Sequence, residues 1–385
     1  MNNRFFGGIL LVAGTAIGAG MLALPVISGF AGFWPSVFAL VVCWAFMFTT
    51  AWLILDVNLA VPGEANMISM ASRTLGVAGR WVCWGSYLLL LYSLTAAYLA
   101  GSAPLFMGAV EALTNVRPPD WVGCFALLGL FGLFVYLGTR SVDHINRVLM
   151  FGLLLSYFAL VVFVPSHMDV SLLQTVNFPA MWVAVPVIVT SFGFHIIIPT
   201  LVPYLHHDKR KLRWTIFVGS LVPLVVYLLW EFLVLGTVPL EGPVSLTSAW
   251  ELGESGAQPL AAILQTPWIA TTASLFSFFA IITSFLGVSL SLSDFLGDGL
   301  KMHRFSWGRE AVCLMTFVPP LVFVLTYQRG FMMALQYAGI FVAVLLGVLP
   351  ALMAWTLPHY RKRRWLLALV LLISVSVIGL DLCSS

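Results

Sequence analysis

Two short strings in this chain carry residue types and spacings that can do chemistry inside an apolar protein. The first is Gly14-Thr-Ala-Ile-Gly-Ala-Gly-Met-Leu-Ala-Leu-Pro25 and the second is Thr190-Ser-Phe-Gly-Phe-His-Ile-Ile-Ile-Pro199. Thr15 and Gly18 of the first match Thr190 and Gly193 of the second, and a proline follows each of those glycines six or seven residues later. Glycines with a proline beyond them favour an interrupted helix, and the interruption frees N–H and C=O groups for a ligand. A half-helix starting after Gly18-Ala19-Gly20 presents N–H groups and a positive dipole end, which suit a carboxylate. Freed carbonyls near Gly14, Thr15, Thr190 and Ser191 suit an ammonium group. Together they match the backbone of an α-amino acid. Close helix packing of small residues is the competing reading of these glycines. It covers an isolated glycine such as Gly152 better than the cluster of Gly14, Gly18 and Gly20 followed by Pro25.

The expected binding residues in the first string are Gly14, Thr15, Ile17, Gly18, Ala19 and Gly20. In the second they are Thr190, Ser191, Phe192, Gly193, Phe194 and His195, with Tyr92 added as a pocket aromatic. Aromatics make up 14% of the chain, so any one of Tyr92, Phe192 and Phe194 reads first as packing or lipid contact, and only flanking Gly193 or, for Tyr92, its place in the third run favours the pocket. His195 sits at membrane depth beside Gly193. It suits a bond to a phenol hydroxyl or an indole N–H, or a change of protonation during a cycle. The alternative is a neutral histidine satisfied by freed carbonyls. Asp56 and Asp294 fall near the ends of apolar runs, and Glu231 lies five or six residues from the outer end of its run. For these three an interfacial position is as good a reading as a functional one.

The elements that must position these residues follow from composition. Of 385 residues, 61% are hydrophobic and only 9% charged, against about 25% charged in soluble domains. A water-soluble globular fold is excluded, and so are disordered and collagen-like chains. A formal charge of +3 gives no reason to expect nucleic acid. The five cysteines, Cys43, Cys83, Cys124, Cys313 and Cys383, form no CxxC pair, and no cofactor or metal motif is present. Eleven apolar runs lie at 5–30, 33–57, 81–110, 121–139, 147–165, 179–204, 213–238, 268–294, 308–326, 331–356 and 365–382. Each is long enough to span a membrane as a helix. The first is too long for a signal peptide and lacks a small-residue cleavage site, so it reads as a retained span.

Basic residues set the orientation. With the N-terminus inside, all 18 Lys and Arg residues except Arg117 and Arg329 fall in inside segments. That bias predicts a cytoplasmic N-terminus and, with eleven spans, a C-terminus outside. The cluster Lys209, Arg210, Lys211 and Arg213 reads first as a topology determinant and second as a lipid or partner site.

The two strings occupy runs one and six. A repeat of five spans inverts the second copy in the membrane, and paired interrupted helices in inverted repeats mark secondary transporters. The predicted architecture is all-α and polytopic. Repeat one covers about 5–165, repeat two about 179–356, and an extra helix about 365–382. A membrane-embedded transferase is the rival from another class, but no DxxD, HxxxH or similar cluster supports it. A channel wants polar pore-lining faces or charged rings, which are not visible.

The chain resembles the bacterial aromatic amino acid permeases, the tyrosine- and tryptophan-specific transporters, over nearly its whole length. Val12 to Pro25, Leu94-Thr-Ala-Ala-Tyr98, Thr190 to His195 and Lys211-Leu-Arg-Trp214 carry the resemblance. So do Thr283-Ser-Phe-Leu-Gly-Val288 and Tyr337-Ala-Gly339. The resemblance implies the leucine-transporter fold, an inner-membrane location, and symport of tyrosine or tryptophan with protons. A sodium-coupled neutral amino acid symporter is the alternative. In that fold a pair such as Thr283 and Ser284 can face span-one carbonyls and hold sodium. The alternative for such hydroxyls is a bond to their own i−4 carbonyls. Two features depart from the family pattern: Glu231 stands where a neutral polar residue is expected, and Ile196-Ile-Ile198 is bulkier than usual.

Overall fold

A computed structural model describes residues 2–61, 63, 65–264, 266–302, 307–327 and 330–384. Arg304, Arg329 and Ser385 lie outside the described residues. Ten helices are long and apolar enough to cross a membrane, and a pair bent by 55°, Arg4–Ala16 with Gly20–Ser28, makes an eleventh span. In chain order the ten are Phe33–Ala60, Met67–Glu111, Asp120–Leu137, Thr139–His167, Phe178–Tyr204, Lys209–Leu235, Pro267–Gly299, Gly308–Thr326, Gly330–Trp355 and Pro358–Leu382. They are numbered spans 2 to 11 below. Continuous apolar sequence forces this solution, because a lipid-exposed backbone must satisfy its polar groups within its own helix.

Two regions differ from the sequence expectation. Span 3 starts at Met67, well before the apolar run at 81, and bends at Gly76, whose φ of 73° only glycine adopts readily. Between spans 7 and 8 the chain forms two short helices, Leu246–Leu252 and Ala257–Ile263. Ser245 starts the first of these with a capping box to Ser248. The Gly256 N–H then donates to the Leu22 carbonyl at 2.8 Å, so this connection lies over span 1.

Spans 3, 6, 7, 8 and 10 are the most buried of the ten. Span 10 packs on span 3, span 8 on spans 3 and 5, and the first half of span 1 on span 7. Outer faces carry exposed Phe151, Phe158, Leu372 and Val375, as lipid-facing surfaces do. Basic segments from several parts of the chain meet at one end. The buried Asp56 carboxylate lies 3.1 Å from Lys209 Nζ and 3.5 Å from Arg213, and it accepts from the Tyr360 hydroxyl at 2.9 Å. Arg4 and His206 pair at the same end. Asp208 caps span 7 by accepting from the Arg210 and Lys211 N–H groups. The Lys211 side chain and these N–H groups hold the exposed Asp208 carboxyl below its ordinary range.

Candidate functional site

The site is built where two helices stop and restart. In span 1 the helix runs Asn2–Ala16, breaks, and resumes as Gly20–Ser28. In span 6 the helix Val185–Ser191 gives way at Phe192 and Gly193 to a 3-10 turn, Phe194–Ile197, and then to Ile198–Tyr204. Past the first break, the Met21 and Leu22 N–H groups close onto the Gly18 and Ala19 carbonyls at 3.2 and 3.1 Å. The Ala19 N–H donates to Ser284 Oγ of span 8 at 2.9 Å.

A cavity of about 320 Å³ lies between the two breaks, within the range typical of small-molecule sites. Gly14, Thr15, Ile17, Gly18 and Gly20 line it from span 1, and Thr190, Ser191 and Gly193 from span 6. Thr283 and Ser284 line it from span 8. A side chain on Gly14 would meet nothing within 4 Å, so that glycine leaves space for a ligand. Gly18 is different: an added Cβ would lie 2.6 Å from Ser284 Oγ, so this glycine lets span 8 approach. At Gly20 an added Cβ would lie 3.2 Å from Ser191 Oγ, which brings the two broken spans together. The cavity extends past Tyr87, Asn146 and Ser291 toward the end that carries the basic loops.

Several hydroxyls at the breaks are already engaged with their own helices. Thr15 Oγ1 donates to Leu11 O at 2.6 Å, Thr190 Oγ1 to Pro186 O at 2.9 Å and Ser191 Oγ to Val187 O at 2.9 Å. Thr283 Oγ1 likewise donates to Phe279 O at 2.7 Å. Their oxygen lone pairs remain available as acceptors.

Five of the expected residues do not line the cavity. Ala19 is buried and contributes through its N–H alone. Tyr92 donates to the Met315 carbonyl of span 9 at 2.8 Å and packs in a separate cluster with Leu292, Leu296 and Val312. Phe192, Phe194 and His195 are fully buried on the far side of the span 6 break. Phe192 packs on Tyr227 with ring centroids 5.1 Å apart, and Phe194 stacks on His195 at 4.9 Å. His195 faces span 2. The Thr50 hydroxyl donates to Met47 O at 3.0 Å, which leaves its oxygen to accept from His195 Nε2 at 2.8 Å. His195 Nδ1 has no partner among the described residues. In this structure His195 thus meets Thr50 and Phe194 and does not line the cavity.

Other residues take the places that sequence reasoning assigned to these. Tyr87 and Tyr98 of span 3 line the cavity instead of Tyr92. Tyr227 of span 7 is fully buried, and its hydroxyl lies 2.7 Å from Ala16 O and 2.8 Å from Ser191 O. These are the terminal residues of the two half-helices that enter the breaks. One phenol proton thus serves two freed carbonyls and ties both breaks to span 7. Glu231, one turn further along span 7, is fully buried within the protein. The Asp169 N–H donates to Gly236 O at 2.8 Å, so the segment after span 5 roofs this end of span 7. Among the described residues, no group of three His, Cys, Asp or Glu side chains is placed to hold a metal ion.

Solved structures share this architecture. A mutant of the manganese transporter of Eremococcus coleocola superposes with a TM-score of 0.64, covering 99% of this chain and 86% of that one. At 13% identity the likeness is one of fold. In sequence, the chain is 33% identical to the tyrosine-specific transport system 2 of Haemophilus influenzae, over 98% of this chain and 95% of the relative. It is 36% identical to tyrosine-specific transport system 1 of the same organism, over 92% of this chain and 88% of the relative. The model of the tryptophan/tyrosine permease family matches residues 1–373, which include both broken spans and the cavity between them, and the chain belongs to that family.

Proposed function

We propose that this protein carries an aromatic amino acid across the bacterial inner membrane, tyrosine first and tryptophan second, by alternating access coupled to protons. Its family membership and its two tyrosine-specific relatives support transport of an aromatic amino acid. The observation that carries the mechanism is the cavity enclosed by two helix breaks. On this reading the N–H groups around Gly18 and Gly20 take the substrate carboxylate at the positive end of a half-helix. Carbonyls beside Thr15 and Thr190 take the ammonium group. The ring lies along Tyr87, Tyr98 and Ile17, which border the same cavity.

Five-plus-five inverted symmetry is part of the proposal, and the packing pairs support it. Exchanging each span for the one five positions away turns the contact of spans 3 and 10 into that of spans 8 and 5. The same exchange turns the contact of spans 1 and 7 into that of spans 6 and 2, and all four contacts exist. Repeat one then covers 5–165 and repeat two 179–356, with span 11 outside the symmetry. The N-terminus is cytoplasmic and the C-terminus external, following the basic bias. The cavity opens toward the basic end while the Gly256 connection covers Leu22, so this conformation faces inward.

Radiolabelled uptake into proteoliposomes, with proton and sodium gradients imposed separately, tests the proposal. Saturable tyrosine uptake, competed by tryptophan and driven uphill by an inward proton gradient, is the expected result. Uphill uptake that needs sodium and is lost in Thr283→Ala or Ser284→Ala overturns the coupling and points to the sodium alternative. Failure to accumulate any aromatic amino acid overturns the function.

A further inference from the structure

We propose that Glu231 is the group that carries the coupled proton, and that Ser28 links its charge to the moving half of span 1. The proposal rests on the proton-coupled reading above. Glu231 is fully buried in span 7. Among the described residues its hydrogen-bond partner is the Ser28 hydroxyl, 2.9 and 2.8 Å from the two carboxyl oxygens. A hydroxyl has one proton to donate. One such bond does not repay the desolvation of an isolated carboxylate, so a group in this position is held as the neutral acid while it stays dry. Intramembrane carboxyls in such settings mark proton relays.

Charged groups on the elements packed around span 7 are engaged elsewhere. On span 1 Arg4 pairs with His206 at the basic end. On span 2 Asp56 is held by Lys209, Arg213 and Tyr360 at that same end, and Cys43 is a buried free thiol. Span 5 carries Arg140, Asp143, His144 and Arg147 in its first turns. Its Tyr157 donates to Val226 O at 2.8 Å. In the segment after span 5, Asp169 is exposed and accepts from Ser171. On span 7 itself Tyr227 is committed to Ala16 and Ser191. None of these supplies Glu231 with a counter-charge.

The placement of Ser28 turns a buried acid into a coupling device. Ser28 is the last residue of the half-helix Gly20–Ser28, whose first residue lines the substrate cavity. Nine residues of helix span about 13 Å. A rigid rod of that length therefore has the substrate site at one end and the Glu231 carboxyl at the other. Swinging the rod away from span 7 admits outer water, and an ionised Glu231 is tolerated there. Closing the rod requires the neutral acid. The step is one proton: an O–H bond of a hydronium ion in outer water breaks as one forms on a Glu231 oxygen, and the Glu231 O–H bond breaks to an inner water molecule only once the dry arrangement seen here, in which Glu231 lies outside the cavity, has opened further. No electrons move and no other reactant is needed.

The test compares wild type with Glu231→Gln, Glu231→Asp and Ser28→Ala in proteoliposomes. Wild-type uptake that ignores the proton gradient refutes the proton-coupled reading itself, and the inference with it. If wild type is proton-driven, Glu231→Gln is expected to exchange labelled for unlabelled tyrosine, since a neutral amide mimics the neutral acid. Its uphill uptake is expected to fall to the level seen without a gradient. Glu231→Asp is expected to regain driven uptake. Proton-driven accumulation by Glu231→Gln overturns the inference and leaves the transport function intact. Should Glu231→Gln neither drive nor exchange, Ser28→Ala decides: a displaced pH profile of driven uptake supports the inference, and an unmoved profile overturns it.

Discussion

The Ser284 hydroxyl accepts the Ala19 N–H at 2.9 Å, fastening span 8 to the break in span 1. The close approach of Gly18 makes this possible, because a Cβ there would lie 2.6 Å from the same oxygen. Gly18→Ala is therefore expected to impair transport by a clash with Ser284, with no need to block the ligand. The double variant Gly18→Ala with Ser284→Ala removes the clashing oxygen and is expected to transport better than Gly18→Ala alone. Initial rates of tyrosine uptake for the four proteins of this cycle check it. A double variant no better than Gly18→Ala places the demand for glycine on the ligand side.

Tyr227→Phe keeps the ring against Phe192 and removes the hydroxyl shared by Ala16 O and Ser191 O. Leaving a buried carbonyl unpaired costs about 1–3 kcal/mol. If that penalty falls on the binding-competent form, tyrosine affinity drops about five- to 150-fold, while membrane insertion is unchanged. Equilibrium binding of labelled tyrosine to purified protein measures the loss. Wild-type affinity in Tyr227→Phe contradicts the role of this phenol in setting the breaks.

His195→Ala removes the bond to Thr50 and the stack on Phe194, both behind the cavity wall. Its effect is expected to be the same for tyrosine, tryptophan and phenylalanine, because no ring tip reaches His195. Competition uptake with the three substrates reads the contrast. A loss confined to tyrosine and tryptophan, with phenylalanine spared, puts His195 back in contact with the polar end of the ring.

Ser291 lines the cavity on its way to the basic end. Cys43, Cys83 and Cys124 are buried but Cys313 is half-buried, so the labelling is done in a Cys313→Ser background. Ser291→Cys is expected to react with a membrane-impermeant thiol reagent in inside-out vesicles, and tyrosine is expected to slow the reaction. Reaction only in right-side-out vesicles reverses the orientation drawn from the basic residues.

Most of the scaffold was legible because the membrane imposes a simple rule. A spanning helix needs a long apolar run, so the run at 308–326 coincides with the helix Gly308–Thr326. The breaks were legible because Gly18, Gly20, Gly193 and their prolines are local features that act on their own backbone. Azimuth was not legible. Phe192, Phe194 and His195 adjoin Gly193, yet sequence adjacency says nothing about direction once the helix passes through a 3-10 turn. Tyr227 is one of ten tyrosines, and a hydroxyl in an apolar helix carries no periodic mark. Counting from the end of its run left Glu231 open between an interfacial and a functional reading. Its burial comes from connections remote in sequence, which fold back over that end of span 7.

The central claim is that the substrate backbone is held by the two helix breaks, and a structure determined with tyrosine bound tests it most directly. The carboxylate is expected within hydrogen-bonding distance of the Gly18 and Gly20 N–H groups, the Ala19 N–H being held by Ser284. The ammonium group is expected on carbonyls beside Thr15 and Thr190, and the ring against Tyr87 or Tyr98. Tyrosine bound elsewhere, for example in the outer pocket between Arg117, Glu254 and Tyr327, with the cavity between the breaks empty, contradicts it.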